Sequence, residues 1–166
     1  MNSTEIQSTI AGANSKLLPY RRLYCFAAWR SIGSNVFLEF GTPVAKQVRP
    51  KTRSSFTVLR GECSVGVHGE SWLLFDGANK LLDSISVDES SLETVARSHL
   101  HGSTMPMLSL NEEGLLMLHF GPKLVLLIER NEYPAGHSDI VDEVTINVPD
   151  AALGFNYERG FYLDAA

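Results

Sequence analysis

Leu115-Leu116-Met117-Leu118-His119-Phe120-Gly121-Pro122-Lys123-Leu124-Val125-Leu126-Leu127-Ile128 is the stretch that decides the fold. Apolar runs of six and five residues flank Gly121-Pro122-Lys123. Each run is too short for a core helix and long enough for a buried strand. Glycine and proline between them supply turn chemistry, so the stretch reads as two paired strands. Just upstream, Met105, Met107 and Leu108 lead into Asn111-Glu112-Glu113-Gly114, a second turn. Three successive antiparallel strands with short connections form a meander.

Working toward the N-terminus, Ser90-Ser91-Leu92-Glu93 fits a capping box, and Leu92, Val95, Ala96 and Leu100 repeat at helical spacing. One helix stopped by His101-Gly102 is expected, with that face on a sheet. Glu62–Val67, Ser71–Phe75 and Lys80–Ile85 read as strands, separated by His68-Gly69-Glu70 and Asp76-Gly77-Ala78-Asn79. Residues 44–55 read as a loop carrying Lys46, Arg49, Lys51 and Arg53 around Pro50. Val36–Phe40 is a strand closed by Gly41-Thr42-Pro43. Leu23, Cys25, Ala27 and Trp29 alternate with Tyr24, Phe26 and Ala28, apolar on both faces as in a central strand. Residues 1–16 lack sustained periodicity and read as a polar N-terminal tail, leaving 17–166 as a single domain. Toward the C-terminus the chain loosens through Pro134-Ala135-Gly136-His137, and Val144–Val148 reads as a last short strand. The expected class is α+β, mainly antiparallel sheet of about seven to nine strands, with one helix packed on it.

Charge is unevenly distributed. Residues 1–60 hold nine Lys/Arg and two Asp/Glu, whereas residues 61–166 hold five and seventeen, or +7 against −12. Such asymmetry points to charged partners. The longest strongly apolar stretch, Leu124–Ile128, is far short of a spanning helix. No basic, apolar leader pattern opens the chain. Two cysteines, Cys25 and Cys63, sit among apolar neighbours, as reduced core thiols do. A bridge between them requires adjacent strands. The expected address is cytoplasmic, with no membrane contact.

The motifs of chemistry are weak. His99-Leu100-His101 is the nearest approach to a metal motif, but it falls at a helix end without a third ligand at familiar spacing. No G-x-S-x-G elbow, Walker pattern or G-x-G-x-x-G occurs. The expectation is therefore no catalytic residue, metal or cofactor, and no direct nucleic-acid partner, since the basic loop lacks stacking aromatics. The acidic C-terminal third is the stronger surface. There Glu129, Glu132, Asp139, Asp142, Glu143, Asp150, Glu158 and Asp164 are interleaved with Tyr133, Phe155, Tyr157, Phe161 and Tyr162. Aromatic contact area inside a field of one sign suits a protein interface. The expected partner-binding set is Glu132, Tyr133, Asp139, Asp142, Glu143, Asp150, Tyr157 and Glu158. The competing reading makes the aromatics core and the acids solvated decoration.

Val36-Phe37-Leu38-Glu39-Phe40-Gly41, Arg60-Gly61-Glu62, Ser71-Trp72-Leu73-Leu74, and Leu115–Phe120 with Leu124-Val125-Leu126 resemble small bacterial immunity proteins of polymorphic toxin and contact-dependent growth inhibition systems. The resemblance spans Trp29 to Arg130 and rests on strand patterns; no binding residue carries over, because such proteins recognise toxins through variable surfaces. It implies a non-enzymatic cytoplasmic inhibitor that occludes the active site of one cognate toxin domain, plausibly a nuclease. Two other classes stand beside it: a small-molecule-binding domain with Trp72, His68 and His119 around a pocket, and a metal-dependent enzyme using His99 and His101. Neither the oligomeric state nor the strand order is legible.

Overall fold

A computed structural model describes residues 1–69, 71–131 and 141–164. Among them are thirteen strands and two α-helices, and every strand pairing is antiparallel. The α+β class stands, with more strands and one more helix than the sequence pattern predicts.

Helix α1 (Ser3–Leu17) occupies the segment expected as a tail. Asn2 caps it: its side chain accepts from the Glu5 amide, and Glu5 reaches back to the Asn2 amide. Ile6, Ile10, Ala13 and Leu17 form a narrow buried stripe at helical spacing. Most of the remaining surface is polar, which is why the segment reads as a tail by composition.

The strands are β1 (Cys25–Arg30), β2 (Val36–Phe40), β3 (Val44–Val48), β4 (Phe56–Arg60), β5 (Cys63–Val67), β6 (Trp72–Asp76) and β7 (Asn79–Asp83). After helix α2 (Glu89–Val95) come β8 (Met107–Leu110), β9 (Leu116–His119), β10 (Leu124–Ile128), β11 (Val144–Val148), β12 (Ala151–Asn156) and β13 (Gly160–Asp164). A six-stranded sheet runs β1-β2-β5-β11-β12-β13, and a five-stranded sheet runs β7-β6-β10-β9-β8. The predicted meander is the β8-β9-β10 side of the second sheet.

Alternation in β10, β9 and β11 buries every second side chain, and the buried sets of the two sheets meet in one apolar cluster. Phe40 and Phe120 stack across it with ring centroids 6.1 Å apart. The interior is filled: the cavity between Leu38, Trp72, Leu74 and Leu126 is only about 20 Å³.

The helices cover the sheet edges. Helix α1 lies against β13 of one sheet and β8 of the other. Asn14 exchanges two 2.9 Å hydrogen bonds with the Leu108 backbone, and Thr9 Oγ1 accepts from the Phe161 amide. Helix α2 packs on β1 and β7 at the opposite edges. Edge backbone that would otherwise recruit foreign strands is thereby occupied.

Several local expectations are corrected. β1 is an edge strand, not a central one; its second apolar face meets α2. The α2 cap is Asp88 with Ser91, two residues earlier than expected, although Leu92, Val95, Ala96 and Leu100 are the buried face. The chain continues past Val95 in one wider π-type turn, Ala96–Leu100. Val144–Val148 is followed by two further strands. Cys25 and Cys63 are both free and buried; each pairs opposite Phe40, so β2 stands between their strands. That spacing, about 10 Å for two strand widths, precludes a disulfide.

Residues 44–60 differ most from expectation. β3 and β4 pair only with each other, making a two-stranded ribbon outside both sheets.

Candidate partner-docking surface

Sheet register places every charged turn at one of two ends. Cys25, Phe40 and Cys63 align at the end from which the β3–β4 ribbon rises, the arm end. Arg30, Val36, Val67 and Val144 align at the far end. The second sheet keeps the same sense: Trp72 Nε1 donates to the Ser34 carbonyl at the far end, and the Cys25 amide donates to Ser103 at the arm end.

The predicted binding residues divide between these ends. Asp142, Glu143, Tyr157 and Glu158 gather at the far end, where β11 begins and β12 turns into β13. Asp150 lies in the β11–β12 turn at the arm end, where it accepts from the Tyr20 hydroxyl at 2.9 Å. Glu132, Tyr133 and Asp139 lie outside the described residues.

Two of the far-end set cannot touch a partner because they are buried. Tyr157 crosses from one sheet to the other: its hydroxyl accepts from the Leu116 amide at 2.8 Å and donates to the Ile128 carbonyl. Glu143 is 3% exposed. Its Oε1 accepts from the Asn131 amide at 3.2 Å, while Oε2 finds no donor among the described residues. Burial pushes its carboxyl up to about 7. Phe155 and Phe161 are buried as well, packed at 4.8 Å. Phe155, Tyr157 and Phe161 thus belong to the core, while Tyr162 is half-buried and Tyr133 lies outside the described residues.

Asp142 is half-buried and structural in its contacts. It accepts from the Tyr162 hydroxyl at 2.6 Å and from Asn156 Nδ2 at 3.1 Å. Gly154 lies beneath this group, where an added Cβ would collide with Asp142 and Tyr162. Glu158 remains exposed in its turn.

Neighbours distant in sequence complete the far end. The Glu112-Glu113 turn adjoins the paired ends of β9 and β10, Glu129 follows β10, and Glu5 sits on the first turn of α1, whose Ser3 lies beside Gly114. All four acids are exposed. Arg30, Arg130 and Arg159 are interspersed, and the last two guanidinium groups lie over the Tyr157 and Tyr162 rings. The arm end instead collects Lys16, Arg21, Arg22, Lys46, Arg49, Lys51, Arg53, Arg60 and Lys123, against Glu62, Asp76, Asp150 and Asp164. The polarity along the chain is therefore also a polarity along the sandwich.

Comparison with known proteins finds no matching family model, no matching curated protein and no matching solved structure. The site must be read from its own chemistry.

The ribbon is the feature that sequence reasoning missed. Its base is held by Glu39, 1% exposed, which accepts from Trp29 Nε1 at 3.0 Å, Arg60 Nη1 at 2.6 Å and the Gly61 amide at 2.9 Å. Arg60 also lies over the Trp29 ring. Gly61 passes so close to the Phe40 backbone that no side chain fits there. Beyond this base the ribbon stands clear of the sheet, leaving a cleft of about 380 Å³ lined by Lys46, Arg60, Ser64 and Asn147 among others. Neither strand buries a face, so no apolar alternation marks them, and the cation-rich Arg49–Ser55 connection reads as loop.

The described histidines do not converge on one site. His68 Nε2 meets Thr145 Oγ1 at 2.9 Å and His119 Nε2 meets Ser109 Oγ at 2.8 Å, on different sheets, while Trp72 is buried. His99 Nδ1 pairs with Asp76 at 3.1 Å beside a surface cleft of about 500 Å³ that also includes His101 and Lys123. No group of three or more metal-ligating side chains comes together among the described residues. Among the described residues no helix is long and apolar enough to cross a membrane.

Proposed function

We propose that this protein neutralises a toxin domain by binding it, in the manner of small bacterial immunity proteins, with its acidic far end laid over a basic cleft. The observation that supports this reading is the gathering of Glu5, Glu112, Glu113, Glu129 and Glu158, from four separate turns or termini, at one end of the sandwich. A clustered negative field accelerates encounter with a cationic site and makes association sensitive to salt. A nuclease domain offers such a site, because it must hold a phosphate backbone.

The test is co-expression with the toxin encoded beside this protein. Survival and co-purification are expected with the wild type. The combined Glu112→Lys, Glu129→Lys and Glu158→Lys variant, which changes exposed side chains only, is expected to slow association at least about tenfold at low salt. A wild type that neither protects nor co-purifies would refute the proposal. Equal association rates for wild type and variant would remove the acidic end from it.

A further inference from the structure

We propose that the β3–β4 ribbon is a docking arm for an extended, acidic and partly apolar segment of a partner protein, added along its free edge. This goes beyond the toxin-binding reading and uses the opposite end of the molecule. An isolated two-stranded ribbon is marginal in water, and no third strand covers this one among the described residues. Each of its strands keeps one unpaired backbone edge. Val44, Phe56 and Leu59 are 49%, 48% and 56% exposed, an apolar surface that nothing in the fold covers.

Charge selects the occupant. No acid occurs between Glu39 and Glu62, while Lys46, Arg49, Lys51 and Arg53 stand in or beside the ribbon and form no ion pair among the described residues. A second copy paired ribbon to ribbon would set these cations against each other, which is how basic edge strands keep copies apart. A nucleic acid would satisfy the cations but leave the valines and Leu59 facing phosphate and sugar. A strand alternating carboxylates with aliphatic side chains satisfies the backbone edge, the cations and the apolar face together. By register Lys46 and Phe56 lie on one face of the ribbon and Ala45 and Leu59 on the other, so a strand added beside β3 sets its carboxylates against Lys46 and its aliphatic side chains on the Ala45 and Leu59 face.

The experiment measures fluorescence anisotropy with a labelled synthetic peptide alternating glutamate and valine, a lysine–valine peptide, and a short DNA duplex. The expected result is salt-sensitive binding of the acidic peptide alone, with slower amide exchange in β3 and β4. Binding should weaken at least about tenfold in Lys46→Glu/Arg53→Glu and in Leu59→Ser, both variants altering exposed positions only. Lys123→Glu, away from the ribbon, should leave it unchanged. Circular dichroism of each variant reports that the sheets persist. Absence of acidic-peptide binding, equal binding by the arm variants, or DNA binding as tight as the peptide's would each overturn the proposal. Because the toxin test alters far-end acids and this one alters arm cations, either can fail without the other.

Discussion

Tyr157 and Glu143 show how little residue type says about where a side chain goes. Both are candidates for a wet interface by type, and both are buried: Glu143, just before β11, accepts from the Asn131 amide beyond β10, and Tyr157, just after β12, bonds to the backbone of β9 and β10. Tyr157→Phe keeps the ring but strands the Leu116 amide and the Ile128 carbonyl. The expected loss is about 1–3 kcal/mol, measured by urea unfolding. Glu143 makes the opposite case. Its folded carboxyl is pushed up to about 7 from an ordinary 4.5, chiefly through burial. The folded state therefore binds the extra proton between those values. The contribution of Glu143 to stability is greatest below about 4.5 and is lost as pH rises to about 7. Glu143→Gln should flatten that fall; a urea midpoint in the variant that still drops over the same window would show the wrong group has been named.

At the scale of elements, two segments differ from the sequence pattern because they bury little, one a narrow stripe and the other no face. Helix α1 carries the Asn2–Glu5 cap and the Ile6, Ile10, Ala13, Leu17 stripe in plain view, but polar residues dominate its composition. A loose tail would tolerate Ile10→Ala; the packed helix should lose about 2–5 kcal/mol, read from the denaturation midpoint. The β3–β4 ribbon has no buried face at all, so hydrophobic period could not announce it. Its geometry comes from the Glu39 network at its base. Glu39→Ala leaves Trp29, Gly61 and Arg60 without their acceptor and should cost about 2–3 kcal/mol. Hydrogen exchange should show β3 and β4 loosening before the sheets do. The meander and the α2 face were legible because each buries a wide, regular set of side chains, whose period survives in the sequence.

For the whole molecule, burial of the two thiols gives a direct probe of cooperative opening. Burial pushes Cys63 up to about 11 and Cys25 up to about 12, and the strand between them forbids a bridge. Iodoacetamide should label neither in the native state and both in urea, and a reductant should leave the melting temperature unchanged. A reductant-sensitive melt would contradict the strand order. The binding surface was the least legible part of the chain, since burial removed two of its proposed residues and register sent Asp150 to the opposite end. What the amino-acid order determined by itself was the antiparallel class, the meander, the buried stripe of α2 and the separation of charge, because local period and composition encode these directly. Which strands neighbour each other, which aromatics are swallowed and which acids share an end were decided only in the tertiary structure, because those follow from pairings between residues far apart along the chain.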